Sequence, residues 1–329
     1  MEQYFSKFDQ QKIMVFGDLI ADVYEYGLIR RMSREAPIPI VEFQYDQVIP
    51  GGAGNVVFNV ASLSGRAVPV SVLGNDDPGE KLLARFAEQC IDVGGVLQSP
   101  DHFTTTKRRI LAQCEHTVRQ QVLRLDRLPQ QPLSEGLLAE LWDIYRKCLD
   151  EVSAVVISDY HLPVFPERFF LDVAQLASER RKFVIVDSRH RIMKYRNVSL
   201  LTPSRSEAEE AVGFELKEVS DLTTAGKILL EATNAEAVLI TLGDQGMSLF
   251  EPQREPELIP VHNKQEVFDV SGAGDTVVAS VTLGVLSGMS LLEAAKFSNM
   301  VAGLVVRKIG TATVTLNEIR KYLTEPVAR

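Results

Sequence analysis

The chain is poor in cysteine, and its three cysteines, Cys90, Cys114 and Cys148, are scattered without CxxC spacing. That pattern excludes a disulfide framework and a cysteine-built zinc site, and reduced thiols suit a cytoplasmic protein. No apolar run approaches the roughly 18 residues needed to span a membrane, and the opening MEQYFSKFDQQK has no signal-peptide core. Positive charge is also in deficit, with 35 basic against 44 acidic side chains and a formal net charge of −9. A nucleic-acid binder needs a basic footprint to displace phosphate counterions, so neither nucleic acid nor membrane is expected as a partner. Repeats, low-complexity tracts and charge blocks are absent, so residues 1–329 read as a single domain. Two nucleotide motifs are missing as well. There is no GxxxxGK[ST], and no GxGxxG follows the first strand, which argues against a P-loop enzyme and an NAD-linked dehydrogenase.

Hydrophobic residues make up 45% of the chain, enough for an ample core. Short apolar, β-rich runs at 12–18, 67–74, 154–160, 182–188, 198–204 and 237–243 alternate with helical stretches at 55–65, 79–90, 134–152, 166–181, 206–213 and 222–233. This rhythm predicts an α/β fold, a mainly parallel sheet covered by helices on both faces. Segments at about 24–50 and 104–126 instead alternate apolar and polar residues with period two. They are expected to form a small β lid inserted in the domain.

Two glycine-rich steps concentrate the chemistry. In QEVFDVSGAGDTVVASVTLG (265–284) a strand-like run over 266–270 gives way to an apolar helix from Thr276. Free backbone N–H groups at a helix N-terminus attract anions, and glycine allows close approach. Asp275 among those donors would repel phosphate, unless it takes a proton from an attacking hydroxyl while the N–H groups of Gly272, Ala273 and Gly274 hold the phosphoryl group. The plainer alternative is a tight turn with Asp275 favouring the helix dipole. In PGGAGNVVFNVASLSG (50–65), Asn55 offers a donor and an acceptor to a polyol, and Gly51 and Gly52 admit a sugar close to the backbone. A packed turn and helix would look the same.

Residues 269–276, DVSGAGDT, closely resemble the C-terminal signature of the ribokinase-like, PfkB-type sugar kinases, and 51–55, GGAGN, resemble their N-terminal signature. The order and separation match, and the likeness covers essentially the whole chain. Within the family the sequence most resembles the kinases that phosphorylate D-glycero-D-manno-heptose 7-phosphate at the anomeric carbon. RMSREAPIP (31–39), TKRRIL, QVLRLD, ISDY, LLTPSRSE, QGMSL and KIGTATV run in that group's order.

The resemblance implies a three-layer α/β/α domain with a β lid and an ATP-dependent sugar kinase acting on a small sugar phosphate with Mg2+. As in many relatives, carbonyls around 269–273 and 307–313 are candidates to hold K+. By the same resemblance Asp275 is the catalytic base and the N–H groups of Gly272, Ala273 and Gly274 are the anion hole. Asp18, Asp22, Gly51, Gly52 and Asn55 meet the sugar hydroxyls, and Lys107, Arg109 and Arg124 meet the 7-phosphate. Ser204, Glu207, Thr241, Gly243, Gly246 and Asn299 fall on the nucleotide side, with Glu207 and Asp269 placing the metal. The alternatives are a strand-end cap for Asp18, a solvated acid for Asp22, a solvated lid face for the three cations, and a turn and a helix asparagine on the nucleotide side.

Three departures stand out. Ser204 replaces the asparagine of the family's Asn-x-x-Glu, His161-Leu162-Pro163 stands where the heptose kinases have Ala-Lys-Gly, and Asp187-Ser188-Arg189 stands where they have Asp-Pro-Lys. His161 and Arg189 are the candidates to compensate for the lost lysine. These changes keep two alternatives open, a kinase for a different sugar or sugar phosphate and a weakly active or inactive sugar- or nucleotide-binding protein. Lid edges invite pairing, so a homodimer through the lid is expected. No fused nucleotidyltransferase follows the kinase-like region, so a separate enzyme is expected for that step.

Overall fold

The structure is a computed structural model that describes residues 1–114, 117–261, 270–308 and 311–324. In chain order its strands are β1 (Lys12–Gly17), β2 (Leu19–Met32), β3 (Pro39–Gly52), β4 (Arg66–Gly74), β5 (Val96–Ser99), β6 (Thr105–Gln113), β7 (Gln120–Arg127), β8 (Ala154–Asp159), β9 (Phe183–Ser188), β10 (Leu200–Leu201), β11 (Val238–Thr241), β12 (Met247–Phe250) and β13 (Glu257–Ile259). Among the described residues nine strands form one sheet in the order β13-β12-β11-β10-β9-β8-β1-β4-β5. Every pairing from β11 to β5 is parallel, while β11-β12 and β12-β13 are antiparallel.

The central strands are apolar because helices cover both faces of the sheet and neither face meets water. All six residues of β8 are buried. Along β1 the side chains alternate between two cores, with Ile13 and Val15 on one side and Met14 and Phe16 on the other. The first core includes residues of helices Ala53–Ser62, Ala273–Leu286 and Leu291–Val305, and the second includes residues of helices Glu135–Leu149 and Glu167–Glu179. The α/β/α expectation is met.

The lid is a second sheet in the order β3-β2-β6-β7. β2 leaves the body directly from β1, with Asp18 as the only residue between them. Register then decides which polar side chains meet. Asp22 pairs with Lys107 and Tyr24 with Arg109, while across the next ladder Lys107 pairs with Asp126 and Arg109 with Arg124. Because alternate residues share a face, Asp22, Tyr24, Lys107, Arg109 and Arg124 all stand on one side of the lid.

Two readings of the sequence need adjusting. The strand expected over 198–204 shrinks to the two residues of β10, because Pro203 has no N–H for a ladder and Ser204 already caps the next helix. The β12-β13 edge hairpin was not anticipated from the alternation. Of the strand read over 266–270, residues 266–269 lie outside those described, and Val270 belongs to no strand. No helix among the described residues is long and apolar enough to cross a membrane.

Candidate active site

Asp275 sits in the first turn of helix Ala273–Leu286, whose N-cap is Gly272. Gly272 adopts φ +78, and a Cβ there would collide with the Asn55 side chain, so both the turn and the close approach require glycine. Asp275 is only 4% exposed. Its Oδ2 accepts a 2.7 Å hydrogen bond from Asn55 Nδ2, and its Oδ1 accepts a 3.2 Å bond from the Tyr160 hydroxyl. Burial pushes its carboxyl up to about 6, against the pull of those two donors and of Arg189. The group is therefore ionised at neutral pH and still basic enough to accept a proton.

A relay fixes the orientation of Asn55. Thr276 Oγ1 donates to Asn59 Oδ1, Asn59 Nδ2 donates to the Asn55 carbonyl and side-chain oxygens, and only the amide nitrogen of Asn55 is left to face Asp275. The side chain read as a sugar ligand is thus also the positioning partner of the acid. Gly51 likewise answers to the protein itself, since a Cβ there would run into the Asp22 carboxylate. Gly52 is the N-cap of helix Ala53–Ser62, which carries Asn55.

Of the three N–H groups expected to hold an anion, one already has a partner within the turn. The Ala273 N–H donates to the Val270 carbonyl at 3.2 Å, within the turn. Ala273 lines the neighbouring apolar cavity, whereas Gly272, Gly274 and Asp275 line the polar one. A Cβ on Gly274 would meet nothing within 4 Å, so space lies open on the side-chain side of its Cα.

The polar cavity, about 180 Å3, is also walled by Asp159, Tyr160, Asp187, Arg189, Ser204 and Glu207. Arg189 lies over the Tyr160 ring at 4.4 Å and is the only cationic side chain on this wall among the described residues. His161 does not replace the missing lysine. It sits at φ +58 with Nδ1 accepting from Arg191 Nε at 2.7 Å. Ser204 N-caps helix Arg205–Val212 in a capping box, its backbone N–H and hydroxyl both donating to Glu207 Oε2 at 2.7 Å. The serine therefore aims Glu207, whose other oxygen is not used by the cap. Asp187 is held well above the usual carboxylate range, by burial first and then by the charges of Asp275 and Glu207. Asp269 lies outside the described residues, as do 309 and 310 of the expected K+ carbonyl set.

A second cavity of about 350 Å3 is mainly apolar and lined by Gly243, Gly246, Met247, Val277, Asn299 and Met300 among others. It meets the polar cavity at Thr241 and Gly274, which line both. Asn299 is on this wall, with its amide nitrogen donating to the Pro260 carbonyl at 2.7 Å.

On the lid side, Asp22 accepts from Arg109 at 2.5 Å, Arg109 lies over the Tyr24 ring, and Arg124 forms a two-point pair with Asp126 at 2.8 and 2.7 Å. Two of the three cations assigned to a phosphate are thus matched by carboxylates. Lys107 instead lies 5.2 Å over the Tyr160 ring. Asp18 is 1% exposed and lines neither the apolar nor the polar cavity. Its Oδ2 accepts from the Tyr160 N–H at 2.9 Å, and burial with the nearby Asp159 pushes it up to about 8. Through Oδ2 it anchors the Tyr160 loop, while its Oδ1 is buried without a hydrogen-bond partner. Tyr160 is the residue that sequence reasoning passed over. The available signal was its place directly after β8, since the carboxyl ends of parallel strands gather ligand sites.

Comparison with known proteins agrees with this architecture. Residues 10–318 match the pfkB family carbohydrate kinases. The chain is 37% identical over 317 residues to the bifunctional protein HldE of Helicobacter pylori strain 26695, covering 96% of this chain and 67% of that protein, so it spans about two thirds of the length of such relatives. Arabidopsis thaliana ribokinase, solved with ribose and ATP, superposes with a TM-score of 0.73 at 19% identity, covering 96% of this chain and 99% of that one. Escherichia coli phosphofructokinase-2 with fructose-6-phosphate superposes with a TM-score of 0.77, also at 19% identity and with the same coverage. The chain belongs to the pfkB family of carbohydrate kinases and is a phosphotransferase.

Proposed function

We propose that this kinase transfers the terminal phosphoryl group of ATP to the anomeric hydroxyl of D-glycero-D-manno-heptose 7-phosphate, giving the 1,7-bisphosphate. The observation that carries the reading is the continuity of the two cavities. An apolar cavity suited to a nucleobase opens at Thr241 and Gly274 into a polar one that ends at Asp275. The HldE relatives support the choice of acceptor, and the ribokinase complex supports ATP as donor.

In this mechanism Asp275 Oδ1 or Oδ2 takes the proton of the acceptor hydroxyl. Asn55 and Tyr160 hold the carboxylate in place. The N–H groups of Gly272, Gly274 and Asp275 face the phosphoryl oxygens, where they stabilise charge already oriented before the reaction. Arg189 adds positive charge from the opposite wall, which a planar guanidinium can deliver to two oxygens at once. Asp187 and the free oxygen of Glu207 fit Mg2+, a cation that takes one or two carboxylates and completes its shell with water and substrate phosphates. When bound, Mg2+ supplies charge neutralisation at the phosphates.

The lid also suggests an assembly. Phe43, Leu123 and Leu125 are more than half exposed on its strands, a feature that pairing of two lids in a homodimer would cover.

Mass spectrometry of products from ATP, Mg2+ and a panel of sugars and sugar phosphates tests the acceptor. A heptose bisphosphate formed in preference to all other products is expected. Preferential phosphorylation of another sugar would leave the mechanism and reject the substrate.

A further inference from the structure

The lid covers a third cavity, of about 620 Å3, between its strands and helices Ala53–Ser62 and Asp77–Glu88. Its wall carries the guanidinium groups of Arg85 and Arg119, the phenols of Tyr24 and Tyr26, the amides of Gln47 and Gln89, and no carboxylate among the described residues. In a chain with 44 acidic against 35 basic side chains, this is a local reversal of charge. Two polar atoms on the wall, Arg85 Nε and Thr311 Oγ1, are buried without a hydrogen-bond partner. Such groups are costly unless something completes them. Arg85 is tied to Glu88 through Nη1 only, and Arg119 lies over the Tyr26 ring at 4.5 Å.

Two of its lining residues, Phe58 and Thr311, stand near the reacting centre. Phe58 on its wall is one helical turn, roughly 5 Å of rise, beyond Asn55, whose amide touches Asp275. Thr311 comes close enough to Gly272 that a Cβ there would lie 3.5 Å from its methyl group. An acceptor with its hydroxyl at Asp275 would extend its far end under the lid. Two of the three cations first weighed for a phosphate are held by carboxylates, Arg109 by Asp22 and Arg124 by Asp126, while Lys107 lies over the ring of Tyr160, the reacting acid's partner.

We propose that this cavity receives the phosphorylated end of the acceptor, with Arg85 and Arg119 as its cationic clamp; this rests on the sugar-phosphate kinase reading above. Guanidinium groups bind phosphate through paired N–H donors, and Arg85 Nε gains the partner it lacks. Tyr24 and the two glutamine amides supply neutral hydrogen bonds along the sugar.

The test compares kcat/KM for heptose 7-phosphate with that for the same unphosphorylated heptose, in the wild type, Arg85→Gln, Arg119→Gln and Lys107→Gln. The preference for the phosphorylated acceptor should fall about tenfold in each arginine variant, the effect of losing one charge-assisted hydrogen bond, and the change should appear in KM. Isothermal titration with heptose 7-phosphate reads the same preference without turnover. Equal losses on both acceptors, or a preference lost only in Lys107→Gln, would overturn the assignment. If the wild type ignores heptose 7-phosphate but uses another sugar phosphate, the substrate reading fails and the same ratio on that acceptor decides the cavity. A wild type that prefers unphosphorylated sugars overturns the clamp.

Discussion

Replacing Asn55 by alanine should move the acid limb of the pH profile upward by a calculable amount. Asn55 Nδ2 donates to Asp275 Oδ2 at 2.7 Å in a buried setting, and burial has already raised that carboxyl to about 6. A hydrogen bond to a charged group contributes about 1.5–3 kcal/mol, and one pKa unit corresponds to about 1.4 kcal/mol, so losing this donor should raise the carboxyl by about one to two units. Only the carboxylate accepts a proton, so activity is present above the pKa and lost as pH falls through it. The limb should move from about 6 to about 7–8. At pH 7 the ionised fraction then drops from about nine-tenths to between about a half and a tenth, and most of the loss returns at pH 9. A coupled assay of ADP release, run from pH 5 to 9.5 at limiting acceptor, reads this directly. A rate that falls equally at every pH, with the limb unmoved, would show that Asn55 serves the sugar alone.

Asp18 makes a prediction of opposite kind, about stability. Its folded-state carboxyl lies at about 8, raised from 3.8, so the folded state holds the proton more tightly and stability falls with rising pH across that window, by at most about 1.4 kcal/mol per unit. Asp18→Asn removes this term, so its melting temperature relative to wild type should climb between pH 5 and 8.5; a constant difference would refute the assignment. Gly272→Ala forces a side chain into a left-handed turn against Asn55, and kcat should fall at least about a hundredfold as the donor nest shifts; a fully active variant would contradict that geometry. Glu207→Gln keeps a side chain able to complete the capping box. The folded protein should survive while the half-saturating Mg2+ concentration rises about tenfold, and an unchanged Mg2+ titration would remove Glu207 from the metal site.

The architecture was legible because buried parallel strands leave a plain trace. Ala154–Asp159 and Phe183–Ser188 are short apolar runs closed by polar residues, and the lid shows as a change of period from helical to alternating. The two glycine steps also marked Asn55 and Asp275 as site residues, although not the hydrogen bond between them. What stayed hidden depends on which groups pair, whether far apart in the chain or within one turn. Whether Arg109 is free for a ligand turns on the pairing of β2 with β6, which sets Asp22 within its reach. Whether Ala273 donates to a ligand turns on a local carbonyl, that of Val270. The role of Ser204 needed the capping box, and that of His161 needed Arg191, both side-chain geometries with several possible outcomes for the same residue types.

The central claim is that Asp275 is the base for phosphoryl transfer to the sugar hydroxyl. The most direct measurement is 31P NMR of the reaction with ATP, Mg2+ and heptose 7-phosphate, run on the wild type and on Asp275→Asn with matched melting curves. The account predicts a new anomeric phosphate signal in the wild type and none in the variant, whose nucleotide binding persists. An Asp275→Asn protein that forms the same product at a comparable rate would contradict it.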